Sequence, residues 1–142
     1  MGKVQILAVL TMDGCLSSEL YDKAHQDLCL DRCGLDEIRK KAFYRVTPDY
    51  SISMLHEWRK DCTNIRYLAE ATPDTADYIN GLLRMHAVDE IILYTVPFIS
   101  GSGRHFFKSA LPEQHWTLSS LKSYPNGVAL RLFPSRVWLQ FF

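Results

Sequence analysis

Apolar positions along this chain switch between a strand period and a helix period, and the switches fall at glycines, prolines and Asp-Gly dipeptides. Val4 to Leu10 is a nearly unbroken apolar run that stops before Asp13-Gly14, the pattern of a strand covered on both faces. From Ser18 onward Leu20, Ala24, Leu28 and Asp31 follow a helical period, which Gly34 interrupts. Leu35, Ile38 and Ala42 predict a second helix over Leu35 to Ala42. Phe43-Tyr44-Arg45-Val46-Thr47 predicts a short strand, ended by Pro48 because proline cannot donate to a ladder. Ser51 to Lys60 reads as a helix with Ile52, Leu55 and Trp58 inward, and Asn64 to Ala71 as a strand.

Thr72-Pro73-Asp74-Thr75 opens the next helix, with Thr72 as N-cap or Thr75 capping a slightly later start. That helix is expected to reach about His86, with Tyr78, Ile79, Leu82, Leu83 and Met85 toward the core. Asp89 to Ser100 follows as a long buried strand running into the turn Gly101-Ser102-Gly103. Trp116 to Leu121 and Val128 to Phe133 form a hairpin around Pro125-Asn126-Gly127. The tail Val137 to Phe142 is apolar enough for a further strand or a partner contact. Strands alternating with helices and closing on an antiparallel hairpin predict a mixed α/β sheet flanked by helices.

With 142 residues the chain is about one domain long, so a single domain over residues 1–142 is expected. Apolar residues make up 47% and charged residues 23%, and 16 basic side chains balance 16 acidic ones. That balance argues against disorder, and the absence of a basic excess argues against nucleic acid as partner. The opening Met1 to Leu10 ends without a small-residue cleavage site and reads as a first strand rather than a signal peptide. No apolar run approaches the roughly 20 residues that span a bilayer, so a soluble, cytoplasmic protein with no membrane partner is expected. In that compartment Cys15, Cys29, Cys33 and Cys62 are expected to stay reduced. His25, Cys29 and Cys33 fall at i, i+4, i+8 and would share a helix face, but no second pair completes a zinc spacing. No metal is expected.

The run Ala87-Val88-Asp89-Glu90-Ile91, then Pro97, Gly101-Ser102-Gly103, Phe106 and Phe107, resembles the dihydrofolate reductase-like family, and within it the reductase domain of riboflavin biosynthesis. Asn126-Gly127-Val128-Ala129-Leu130 is similar to the family's last strand, and Ala8 to Gly14 to its opening strand and Asp-Gly turn. The resemblance covers about half the chain. It implies a three-layer dihydrofolate reductase-like mixed sheet ending in an antiparallel hairpin, and NADPH bound at the carboxyl ends of the strands, where glycine backbones and helix N-termini accept phosphate oxygens. The substrate it implies is a pterin-like or pyrimidine-like heterocycle; a homodimer is also expected, with the apolar tail Val137 to Phe142 as a surface for self-association. The protein then orients the cofactor's hydride against the substrate.

Carried onto this sequence, the resemblance gives Asp13 and Thr95 catalytic parts and Glu70 a substrate contact. It places the cofactor against Val9, Leu16, Arg45, Thr47, Thr72, Gly101, Ser102 and Gly103. Two stretches depart from the family. Tyr44-Arg45-Val46-Thr47 stands where a Gly-Arg-x-Thr turn introduces a phosphate-binding helix, with tyrosine in place of glycine. Glu70-Ala71-Thr72 stands where a glutamate precedes two glycines, and a Cβ at each position hinders close approach of a pyrophosphate. The stretch between Thr47 and Asn64 is also short for the family. Two functions therefore stay open: an NADPH-dependent reductase, or a domain that kept the fold, lost the cofactor site and serves as a binding or dimer-forming module. Asp89, Glu90 and His105 are expected to be structural or surface residues.

Overall fold

The computed structural model describes residues 2–16, 30–60, 64–101, 104–108 and 111–135. Its centre is strand β1, Lys3–Leu10, seven of whose eight residues are buried. On one side β1 pairs in parallel with β4, Arg66–Glu70, and on the other with β5, Glu90–Thr95, so that Ile6 lies opposite both Ala69 and Ile91. A strand flanked on both edges and covered on both faces has no polar side to show. This is why its sequence is a continuous apolar run rather than an alternation.

The short β3, Tyr44–Arg45, adds in parallel outside β4. On the far side β8, Ala129–Pro134, runs antiparallel to β5 and is followed by β7, Ser120–Ser123. The six-stranded order is β3-β4-β1-β5-β8-β7. A separate two-stranded ribbon joins β2, Cys15–Leu16, to β6, Arg104–His105.

Two apolar layers cover the two faces. On the first, Val4, Ile6, Ala8 and Leu10 meet Leu55 of helix α2, Ile52–Lys60, and Ile79, Leu82 and Leu83 of helix α3, Ala76–Arg84. On the second, Leu7, Val9, Leu68 and Tyr94 meet Leu30 and Cys33 of a 3₁₀ turn, Leu30–Cys33, and Leu35 of helix α1, Leu35–Lys41. Gly34, at φ +86°, makes the left-handed step between that turn and α1. The Cys33 carbonyl then accepts from the hydroxyls of Tyr94 at 2.8 Å and Tyr124 at 3.0 Å. Burial pushes both tyrosine hydroxyls up, so they act as fixed donors tying the 3₁₀ turn to β5 and to the loop between β7 and β8.

Three predicted boundaries move. The strand expected over Asp89 to Ser100 stops at Thr95, because Pro97 has no N–H and the Phe98 amide turns back to the Val96 carbonyl at 2.8 Å. Helix α3 stops at Arg84 rather than His86, which leaves Met85 57% exposed instead of in the core. Its N-cap is Thr75, the later of the two expected starts. In the hairpin the first strand begins only at Ser120, and Trp116 contributes a single bridge to Ser135. The predicted helix from Ser18, the thiols of Cys29 and Cys62, and the tail Val137 to Phe142 lie outside the described residues.

Cys15 and Cys33 form no disulfide. Among the described residues no group of His, Cys, Asp or Glu is placed to hold a metal, and His25 and Cys29 lie outside them. No described helix is long and apolar enough to cross a membrane.

Candidate functional site

All four parallel strands, β3, β4, β1 and β5, end on the same edge of the sheet, and β1 lies between the strands reached by its two crossovers. Ligands of open α/β sheets bind at such an edge, where the connections diverge. The loop after β1 is joined there to the loop after β5. The Val96 amide donates to the Leu10 carbonyl at 2.9 Å and the Met12 amide to the Phe98 carbonyl at 2.7 Å.

Asp13 locks this junction. Its carboxylate accepts from the Thr11 hydroxyl, from the Ser100 amide at 3.1 Å and from the Gly101 amide at 3.0 Å. The Thr11 hydroxyl, followed by the two amides, holds the Asp13 carboxyl far below the ordinary carboxylate range. An anion so stabilised is a poor proton donor, so the arrangement organises a turn before it can serve as an acid. Gly14, at φ +78°, then carries the chain into the β2–β6 ribbon, where the Phe106 amide donates to the Gly14 carbonyl at 3.0 Å. Cys15 Sγ is 3.9 Å from His105 Nδ1. Burial first, and the Asp13 charge second, push its thiol up, so Cys15 stays protonated and unreactive.

The remaining predicted residues gather at this edge in separate partnerships. Thr95 ends β5, half-buried, and its hydroxyl accepts from Arg131 Nη1 at 3.4 Å. Arg45 and Thr47 are exposed at the end of β3. Glu70, at the end of β4, is held by the Arg39 guanidinium of α1 through one carboxylate oxygen and by Arg45 through the other at 3.2 Å. Gly101 sits at φ +73° with no atom within 4 Å of where a Cβ would stand. Val9 and Leu16 are 6% and 4% exposed and belong to the two core layers. Ser102 and Gly103 lie outside the described residues.

Several residues that shape the site escaped the sequence reading. Thr11 and Ser100 complete the Asp13 junction, and Arg39 completes the Glu70 cluster. Asn80 is fully buried; its amide donates to the Ala76 and Phe106 carbonyls at 2.8 Å, and its carbonyl accepts from the Lys108 amide at 3.0 Å. An asparagine inside an otherwise apolar helix stripe was the available signal, since a buried amide must find partners.

Comparison with solved structures matches this arrangement. A protein assigned to riboflavin biosynthesis from Shewanella sp. PV-4 superimposes at a TM-score of 0.56 with 9% identity, over 94% of this chain and 99% of that one. RibD from Acinetobacter baumannii superimposes at 0.58 with 13% identity, over 96% of this chain and 59% of that one. This chain has the dihydrofolate reductase-like fold. No family model and no curated protein matches its sequence.

The dihydrofolate reductase-like fold puts a nicotinamide dinucleotide in question at this edge, and the donors present answer it. At the β4–α3 turn the Ala71 amide donates to the Leu7 carbonyl at 2.7 Å, the Thr72 amide to Thr75 Oγ1 at 2.8 Å and the Thr75 amide to Thr72 Oγ1 at 3.2 Å. The Val46 amide after β3 donates to the Leu68 carbonyl at 2.8 Å. A pyrophosphate needs such amides bare, and here the chain's own oxygens hold them. Two carboxylates, Asp13 and Glu70, stand at the same edge. Among the described residues, the amides of Val46, Ala71, Thr72 and Thr75 at these strand ends are thus engaged within the chain.

Proposed function

We propose that this chain is a binding module built on the reductase fold, rather than an NADPH-dependent catalyst. One observation carries the reading: the amides of Ala71, Thr72 and Thr75, where the resemblance places the pyrophosphate, are all engaged within the chain. Freeing them means giving up hydrogen bonds that a phosphate must then replace. A binding or dimer-forming role keeps the scaffold without that site.

A second reading has its own support. Arg45, Thr47 and Thr72 offer a guanidinium and two hydroxyls at one edge, and Gly101 faces open space. On that reading the chain takes hydride from NADPH and delivers it to a pterin-like or pyrimidine-like heterocycle, and those side chains take over the phosphate contacts of the family's glycine turns. The hydride chemistry is the cofactor's, and the chain's part is to orient the two molecules.

Titrating NADPH while following the melting temperature separates the two. A cofactor present at about a hundredfold excess over its Kd raises stability by about 2.7 kcal/mol. The binding-module reading expects no shift at millimolar NADPH. A saturable rise at micromolar levels overturns it in favour of the reductase. Sedimentation of the purified chain across a concentration series then tests the homodimer that the module reading allows.

A further inference from the structure

The opposite edge of the sheet holds a cavity. Helix α1 has seven residues, about 10 Å of length, and at the amino ends of β1 and β5 a cleft of about 320 Å³ opens between it and the β7–β8 hairpin. That volume is at the lower end of the roughly 300–1,000 Å³ typical of small-molecule pockets. Ile92, Leu130 and Leu132 give the cleft an apolar floor.

Beside that floor lie two buried polar residues, Gln5 and Glu90, 6% and 9% exposed. Gln5 Nε2 donates to Glu90 Oε1 at 2.7 Å, and Lys3 Nζ meets the other carboxylate oxygen at 3.0 Å, so the floor carries hydrogen-bonding groups whose charge is met locally. The wall is basic. Four basic side chains line the cleft against two acidic ones, Glu37 and Glu90. Lys41, Arg66 and Lys122 come from α1, β4 and β7, three different elements, so their convergence is not the periodicity of one solvated helix face.

A concave site with an excess of positive charge concentrates anions. Cations from several sides suit a group with several charged oxygens, and the apolar floor suits a flat organic body. We propose that this cleft binds a small organic phosphate of about mononucleotide size, at a place remote in the fold from the edge where the parallel strands end. The inference does not depend on whether that other edge holds NADPH.

The test titrates AMP and UMP, with adenosine and inorganic phosphate as separate arms, into the full chain by calorimetry and amide chemical shifts. At least one nucleotide should bind saturably, about tenfold or more tighter than either fragment, with shifts at Gln5, Ile92 and Leu130 rather than at Thr72 and Gly101. The exposed double variant K41Q/K122Q should melt like the parent and lose about tenfold in nucleotide affinity, while E37Q should gain a few-fold. No saturable binding of either nucleotide by about 10 mM overturns the proposal. So does binding that K41Q/K122Q leaves unchanged.

Discussion

At the scale of single residues, the two acidic positions that carry the resemblance turn out to hold the chain together. Asp89 is buried, accepts from the Val4 amide at 2.9 Å and from Arg59 at 3.4 Å, and seals the start of β5 against the start of β1. Glu90 beside it holds Lys3 and Gln5. Both fit the expectation that the pair is structural. Asp13 closes the other end of the same two strands, and its effect on stability has a definite sign. Its folded carboxyl is held below the unfolded one, so its contribution is present above the ordinary carboxylate range of about 3.9 and is lost as pH falls through the lower folded value. Melting curves of the parent and D13N should therefore differ by a constant amount from pH 7 to about 5 and converge below about 4. A gap that stays the same down to pH 2 would show that Asp13 acts through something other than its charge. The Ser100 and Gly101 amides should also exchange roughly tenfold faster in D13N, since their acceptor is weakened.

At the scale of elements, hydrophobic spacing located the helices and central strands well, because each has a face that must be buried. Ile52, Leu55 and Trp58 of α2 and Ile79, Leu82 and Leu83 of α3 pack on the sheet as their spacing requires. Ends were read less well, since they depend on backbone hydrogen bonds that composition does not display. Helix α3 shows this. The Ala87 amide donates to the Leu82 carbonyl at 2.9 Å and the His86 amide to the Leu83 carbonyl at 3.2 Å, a Schellman ending with His86 at φ +52°. That position normally takes glycine, and a side chain there costs about 1–2 kcal/mol. Nothing in the local sequence announces the stop. H86G keeps the backbone carbonyl that accepts from Arg59 and removes the strained Cβ. It should raise stability by about 0.5–1 kcal/mol, read as a rise of a few degrees in melting temperature. A fall in melting temperature would mean that the His86 ring makes a contribution larger than the strain it brings.

At the scale of the whole molecule, topology and donors answer different questions. The order β3-β4-β1-β5-β8-β7 puts Asp13, Arg45, Glu70, Thr72, Thr95 and Gly101 on one edge although they are spread over most of the chain. What no spacing rule reveals is how those residues spend their hydrogen bonds once gathered. Glu70 faces Arg39 and Arg45 instead of a free pocket, and Thr72 and Thr75 cap each other. If engaged donors, and not the shape of the sheet, exclude a dinucleotide, then changing donors alone should readmit it. The double variant T72G/T75A releases the Thr72 amide from Thr75 Oγ1 and removes the Cβ at position 72, while the Thr75 amide keeps the Thr72 carbonyl at 3.1 Å. The lost Thr72–Thr75 side-chain hydrogen bonds should cost about 1–2 kcal/mol of stability. In exchange, millimolar NADPH should raise the melting temperature of T72G/T75A and leave the parent unmoved, with about 1.4 kcal/mol of added stability when the cofactor is tenfold above its Kd. If both proteins ignore NADPH, the barrier lies beyond the Thr72 amide, and the Asp13 carboxylate that holds the Ser100 and Gly101 amides becomes the next group to change.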